Sequence, residues 1–199
     1  MSFEIVRNVS GIFVSEDRRE EVNAFNNAAI NCVHNYTGCA YSGDDPHNIR
    51  FIFSGDENQQ SIMELDNFLS GFLEQSLIIK RREIMDKINA LRDKIQYDHF
   101  KYDGKKWDAR PEARALITGA SALAIANGGN LPPNFLYRDY DNYNWPMTGT
   151  QMIQLGAALF DFTGHCYQVS WIHKYCVGIA TTKEELDAYD YTVGWPPID

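Results

Sequence analysis

The chain has 199 residues, 44% of them hydrophobic, and 27 acids against 18 bases give a formal charge of −9. That length and apolar content support a real core and exclude a disordered segment. The acidic balance argues against non-specific binding to nucleic acid or to anionic membrane, leaving protein or carbohydrate as the expected partners. No apolar run has the length of a membrane span, and the opening residues Met1–Arg7 have neither the basic nor the apolar region of a signal peptide, so the expected site of folding is a cytoplasm. Four scattered cysteines (Cys32, Cys39, Cys166 and Cys176) make no disulfide framework and read as reduced, buried thiols.

Residues 1–55 read as a small α/β docking unit. Phe3–Val6 and Gly11–Val14 are short β-type runs. Ser15 is the expected N-cap of a helix over Glu16–Tyr36, with Val22, Phe25, Ala29, Cys32 and Val33 on one stripe and Gly38 as its stop. After a polar loop at Ser42–Asn48, Ile49–Phe53 is an apolar β run closed by Ser54–Asp56.

Residues 56–97 are dominated by one long helix, Gln59–Tyr97, with no proline and a single glycine, Gly71. Its apolar residues keep helical time from Ile62 to Ile95, and Ile84, Ile88, Leu91 and Ile95 step by four, three and four. Leu77, Ile84, Ile88, Leu91 and Ile95 therefore form a candidate oligomer seam of coiled-coil type, interrupted by Arg81. The expected outcome is a homo-oligomer, a trimer or part of a ring, with packing by the later helices of the same chain competing for the seam.

Residues 98–199 read as a helical module with two short hairpins. Asp103-Gly104 between aromatic flanks predicts the first, over Phe100–Trp107. Phe135–Asp139 and Tyr143–Met147 predict the second. Between them, Pro111–Asn127 is a helix opened by proline, rich in small residues that permit close approach of another helix, and stopped by Gly128-Gly129. Thr148–Gln151 fits a capping box that opens a helix to about Val177, and Thr182–Glu185 fits a second that opens a short last helix through Tyr189. Trp195 is then a plug on the bundle. The fold class expected is α+β, mainly α.

Chemistry is thin. Cys32/His34 and His173/Cys176 are weighed as zinc ligands; Cys166 and His173 lie roughly 10 Å apart along a helix axis, too far for one ion without other ligands, and a site joining the Cys32/His34 and His173/Cys176 groups is the minor alternative to core packing. A Cys/His nucleophile pair lacks any sign of an oxyanion hole or orienting group. Asp44-Asp45 and Asp139/Asp141 sit where turns favour aspartate. The expectation is a non-enzyme without catalytic residues, metal or cofactor. The remaining candidate is an aromatic surface on the hairpins, Tyr102, Trp107, Tyr143 and Trp145, which could grip sugars through ring faces or simply form the core of a small sheet.

From Ile84 onward the succession Arg92-Asp93, Phe100-x-Tyr102-Asp103-Gly104, Arg114–Gly119, Leu131-Pro132-Pro133-x-Phe135, Asp139-x-Asp141-Asn142, Pro146–Thr148, Ser170-Trp171, Ala180–Thr182, Glu185–Asp187 and Gly194–Pro196 resembles a domain of unknown function found at the C-terminal end of phage and prophage tail proteins. The resemblance spans about residues 84–197. It implies a virion tail or tail-fibre setting, assembly in the host cytoplasm with other tail proteins, and no known catalytic residue, cofactor or metal. The function expected on this basis is a structural tail component at the baseplate or the fibre attachment. The alternatives are a fibre-assembly chaperone missing from the virion and a receptor- or glycan-binding tail module.

Overall fold

A computed structural model describes residues 2–8, 18–41 and 48–197. Its elements in chain order are β1 (Ser2–Asn8), α1 (Arg18–Ala29), β2 (Tyr36–Tyr41), β3 (Asn48–Ser54), α2 (Gln59–Gln96), β4 (His99–Tyr102), β5 (Lys105–Asp108), α3 (Pro111–Ala126), β6 (Leu136–Arg138), β7 (Asn144–Pro146), α4 (Gly149–Ile179) and α5 (Lys183–Ala188). The protein is a mainly helical α+β chain. It divides into two compact units, Met1–Ile84 with Ile179–Tyr189 and Met85–Gly178 with Asp190–Asp199. The division falls within α2 and not at that helix's ends.

In the N-terminal unit the three strands form an antiparallel sheet in the order β1-β3-β2. β3 is its centre, and its alternate residues Ile49, Phe51 and Phe53 are buried together, as period 2 requires of a strand covered on one face. Phe25 of α1 meets Phe51 at 5.5 Å between ring centroids and meets Phe68 and Phe72 of α2 edge-on at 5.3 Å each. The first turns of α2 thus complete a core that the strands and α1 could not close. Asn58 caps α2, its Oδ1 accepting the Ser61 N–H at 2.8 Å. Arg7 of β1 pairs with Asp66 of α2 at 2.9 Å.

Two expectations fail in this unit. α1 ends at Ala29, not Tyr36, and Gly38 lies inside a strand, β2, where the register shifts between Tyr36 and Gly38. Asn35 takes φ of 61°, a left-handed conformation that asparagine tolerates and a helix does not. It turns the chain so that Tyr36 pairs with Phe53. Val33 is buried from the turn, which is why the apolar stripe continued past the true helix end. The Gly11–Val14 run, the Ser15 cap and most of the Ser42–Asn48 loop lie outside the described residues.

α5 closes this unit. Thr182 Oγ1 accepts the Glu185 N–H at 3.1 Å and the Glu185 carboxylate accepts from the Thr182 N–H, the reciprocal capping box that the sequence predicts. Lys80 of α2 pairs with Asp187, and Arg81 Nη2 donates to the Ala180 carbonyl at 2.6 Å. The basic residue that interrupts the seam is thereby anchored within the chain through Nη2, while its buried Nε finds no partner among the described residues.

In the C-terminal unit, Phe100, Trp107, Ala109, Ile117, Met152, Leu155 and Leu159 form the core. α3 starts with Pro111 after an extended Arg110 and ends in a Schellman turn: Gly129 N–H reaches Ala124 O at 2.7 Å and Gly128 N–H reaches Ile125 O at 3.2 Å, both glycines with positive φ. α4 comes close to α3 at Gly156, where an added Cβ would lie 2.6 Å from Ser121 Oγ. The small residues are therefore only partly spent on this approach. Ala113 and Ala124 are buried, whereas Ala115, Gly119 and Ala122 face solvent. Arg114 ties three elements together, donating to Ala109 O at 2.6 Å, to Thr163 Oγ1 of α4 at 2.9 Å and to Gln96 O at the end of α2. Trp195 stacks on His173 of α4 with centroids 5.6 Å apart, the plug that the sequence predicts.

Candidate functional site: the hairpin cleft

Asp103 and Gly104 have φ of 50° and 69°, the paired positive values of a type I′ turn, and this fixes the register of β4 on β5. Phe100 then stands opposite Trp107, and Tyr102 opposite Lys105. In the second hairpin Tyr137 stands opposite Trp145. A backbone bond from Tyr140 N–H to Lys106 O, 2.9 Å, joins the two hairpins.

Asp139 locks the second hairpin. It is buried, and its carboxylate accepts the Tyr143 N–H at 2.8 Å and the Trp145 Nε1–H at 2.7 Å. Tyr140 donates its hydroxyl to Asp98 Oδ1 at 3.0 Å and lies against the buried His99 ring at 4.5 Å. That bond to Asp98 holds the Tyr140 phenol above its usual range.

Between the hairpins and the first turns of α4 lies a cleft of about 240 Å³, bordered by Tyr102, Lys105, Trp145, Met147, Gln151 and Gln154. The Lys105 ammonium sits over the Trp145 ring, 4.6 Å from its centroid, and 3.6 Å from Asp103 Oδ2. Gln151 Oε1 is already spent on the Thr148 N–H and hydroxyl, the first capping box. The lining can offer ring surface, an amide or two and one balanced ion pair. That suits binding of a small polar group with one flat apolar side.

Of the four aromatic candidates, the structure brings Tyr102, Trp107 and Trp145 to the cleft and leaves Tyr143 outside its lining. Trp107 is corrected from surface to core. It is 2% exposed, its Nε1–H is satisfied by Tyr102 O at 3.0 Å and its ring packs on Tyr137 at 5.9 Å. It supports the floor and cannot present a ring face. Tyr143 and Trp145 are exposed. The sequence reading missed Lys105, and it read Asp139 as a turn residue without its bond to the Trp145 indole. The signal for Lys105 was its place next to the Asp103-Gly104 turn, which sets it directly across from Tyr102.

The seam residues Leu77, Ile84, Ile88 and Ile95 are buried within the single chain, and Leu91 is half-buried. An oligomer that used this seam would first have to uncover it. Cys166 is also buried, and burial pushes its thiol up to about 11. Burial likewise raises the Cys39 thiol. His173 Nε2 lies 3.0 Å from Val193 O, an arrangement that closes the chain end onto α4. Among the described residues no group of three His, Cys, Asp or Glu side chains is placed to hold a metal ion, and no helix is long and apolar enough to cross a membrane.

A mainly helical module with two linked hairpins and a small aromatic cleft is thus the class that the C-terminal unit defines. The chain belongs to the family described as domain of unknown function DUF4376, whose model matches residues 80–193. No curated protein and no solved structure matches the chain.

Proposed function

We propose that the protein is a structural, non-catalytic component of a bacteriophage tail, at the baseplate or where fibres attach, assembling with other tail proteins. The observation that carries this reading is the apolar surface left to water on α3 and α4, where Leu116, Leu123, Ile125, Phe160, Trp171 and Tyr175 are all exposed. A monomer with no partner rarely leaves so many large apolar side chains uncovered on neighbouring elements. The resemblance of residues 84–197 to a domain at the C-terminal end of tail proteins supplies the setting. Mass spectrometry of purified virions tests it: several copies per particle are expected. Absence from finished particles with presence in infected cells overturns it in favour of an assembly chaperone.

A second reading has its own observation. The exposed Trp145 at a 240 Å³ cleft fits recognition of a sugar by ring stacking and amide hydrogen bonds. Substitution of Trp145 by alanine separates the two. Intact particles that fail to adsorb to the host favour recognition, and unaltered adsorption favours scaffold.

A further inference from the structure

For a helix with one side in solvent, α4 is short of charge. Of its 31 residues only Asp161 and Lys174 carry a formal charge with histidines neutral. Its inner side is marked by Met152, Leu159, Cys166 and Val177, all buried. At 3.6 residues per turn the opposite side carries Ala157, Asp161, Gly164, Gln168 and Tyr175, with Trp171 and Ile172 on its two flanks and Phe160 beside them. Phe160 is 77% exposed, Trp171 61%, Ile172 62% and Tyr175 69%. The solvent side of such a helix is ordinarily its polar side.

Asp161, Gly164, Gln168, Trp171 and Tyr175 step by three, four, three and four, the spacing of a helix-pairing seam. Its middle is hollow. Glycine inside a helix is less favourable than alanine, and a Cβ at Gly164 would meet nothing within 4 Å. Nothing in its own chain requires that position to be glycine.

We propose that two copies of this protein meet here, α4 against α4, antiparallel across a twofold axis. In an antiparallel pair each position of the three-four repeat faces the other kind, so Gly164 of one copy stands opposite Tyr175 of the other and Gln168 opposite Trp171. The large ring enters the hollow that the missing side chain leaves. The two Asp161 carboxylates fall at opposite ends of the contact, roughly 25 Å apart along the axis at about 1.5 Å per residue, well beyond a Debye length of about 8 Å. Lys174 lies off the seam, so α4 itself brings one formal charge to the face, Asp161, with Lys101 bordering the same hollow as that carboxylate. Area agrees. Aromatic side chains present roughly 150–250 Å² each, so Phe160, Trp171, Tyr175 and Ile172 at these exposures supply at most roughly 500 Å² per copy and roughly 1,000 Å² for the pair, the lower bound for a specific interface and the size of a weak, reversible one. This pairing needs no tail, but it takes up the α4 part of the exposed surface cited for the tail reading and leaves Leu116, Leu123 and Ile125 of α3 to other partners.

Sedimentation velocity on the purified full chain tests it. The expected species is twice 22.8 kDa, dissociating on dilution. Gly164→Arg and Trp171→Glu are each expected to give monomer with an unchanged helical circular dichroism signal. Should either variant lose helix, Gly164→Ala decides, because alanine favours the helix in the monomer and meets nothing there, yet fills the hollow. It is expected to lower the dimer fraction at equal concentration. A wild-type monomer at the highest attainable concentration, a dimer unmoved by both surface variants, or an unchanged dimer fraction in Gly164→Ala overturns the proposal. A dimer that is missing from virions would overturn the tail reading alone.

Discussion

Trp107→Ala against Trp145→Ala separates floor from surface in the hairpin cleft. The two residues lie on different hairpins and border the same cleft, but only Trp107 is enclosed. A Trp side chain buries roughly 250 Å² at most, which at about 25 cal/mol per Å² is about 6 kcal/mol before discount. A denatured chain that already hides part of this surface brings the figure to about 4 kcal/mol, inside the range of about 3–5 kcal/mol for truncating a buried aromatic residue. Loss of the Nε1–H bond to Tyr102 O adds to that, because the carbonyl loses its donor beside the core. Trp145 forfeits less ring burial, and its main loss is the bond to Asp139, about 1.5–3 kcal/mol for a charged acceptor, partly recovered by water at an open cleft. Urea titration followed by fluorescence of the remaining tryptophans is the assay. Trp107→Ala should cost at least about 2 kcal/mol more than Trp145→Ala, a large share of the roughly 5–15 kcal/mol that holds a domain folded. Equal costs, or a cost below about 1 kcal/mol for Trp107→Ala, would refute the assignment of this ring to the core.

Three further outcomes follow from the same geometry. Ile88→Ala, at a fully buried position of α2, should destabilise the chain by about 2–5 kcal/mol, and Leu91→Asp on the half-buried side of the helix should leave its association state unaltered in sedimentation. Asp139→Asn should weaken both bonds that lock the second hairpin, costing about 1–3 kcal/mol, with the Trp145 indole N–H exchanging faster in proton NMR; unchanged exchange would mean that the lock lies elsewhere. Glu185 accepts the Thr181 and Thr182 N–H groups, which hold its carboxyl below the ordinary 4.5. A depressed folded value stabilises the fold above the unfolded value and loses that contribution as pH falls through the folded one. Thermal stability should therefore decline below pH 4.5 in the wild type and less steeply in Glu185→Gln, and parallel acid limbs would count against the capping box as the cause.

Elements whose signals are local were legible in the sequence. The α2 bounds, the Asp103-Gly104 hairpin, the proline-opened and glycine-closed α3 and both capping boxes each rest on backbone preferences within a few residues, and the fold keeps them. β2 was not legible because its deciding interaction is pairing with β3, a dozen residues further on. Cys32 and Val33 extend the apolar stripe of α1 in sequence, and only Asn35 in a left-handed conformation shows that Val33 points inward from a turn. Asp139 looked like turn chemistry and is that, but its second oxygen holds the Trp145 indole, a contact that spacing cannot reveal.

The two longest helices show why apolar periodicity tells of burial without telling by what. On α2 the seam residues Leu77, Ile84, Ile88 and Ile95 are covered inside one chain and Leu91 is half-covered. On α4 the inward residues Met152, Leu155 and Leu159 were equally legible, yet the helix is apolar on its outer side as well, and there the three-four spacing recurs uncovered. The two stripes differ in what interrupts them. Arg81 breaks the α2 seam and donates from Nη2 to Ala180 O within its own unit, so the chain itself anchors the polar exception even though its buried Nε has no partner among the described residues. Gly164 breaks the α4 seam and finds open space. An exception that the chain itself engages belongs to its fold, and one left empty on an apolar outer side is where the proposed pairing puts a neighbour. By that criterion the surface to which assembly should be traced is the outer side of α4, and mutagenesis aimed at the α2 seam would report on folding.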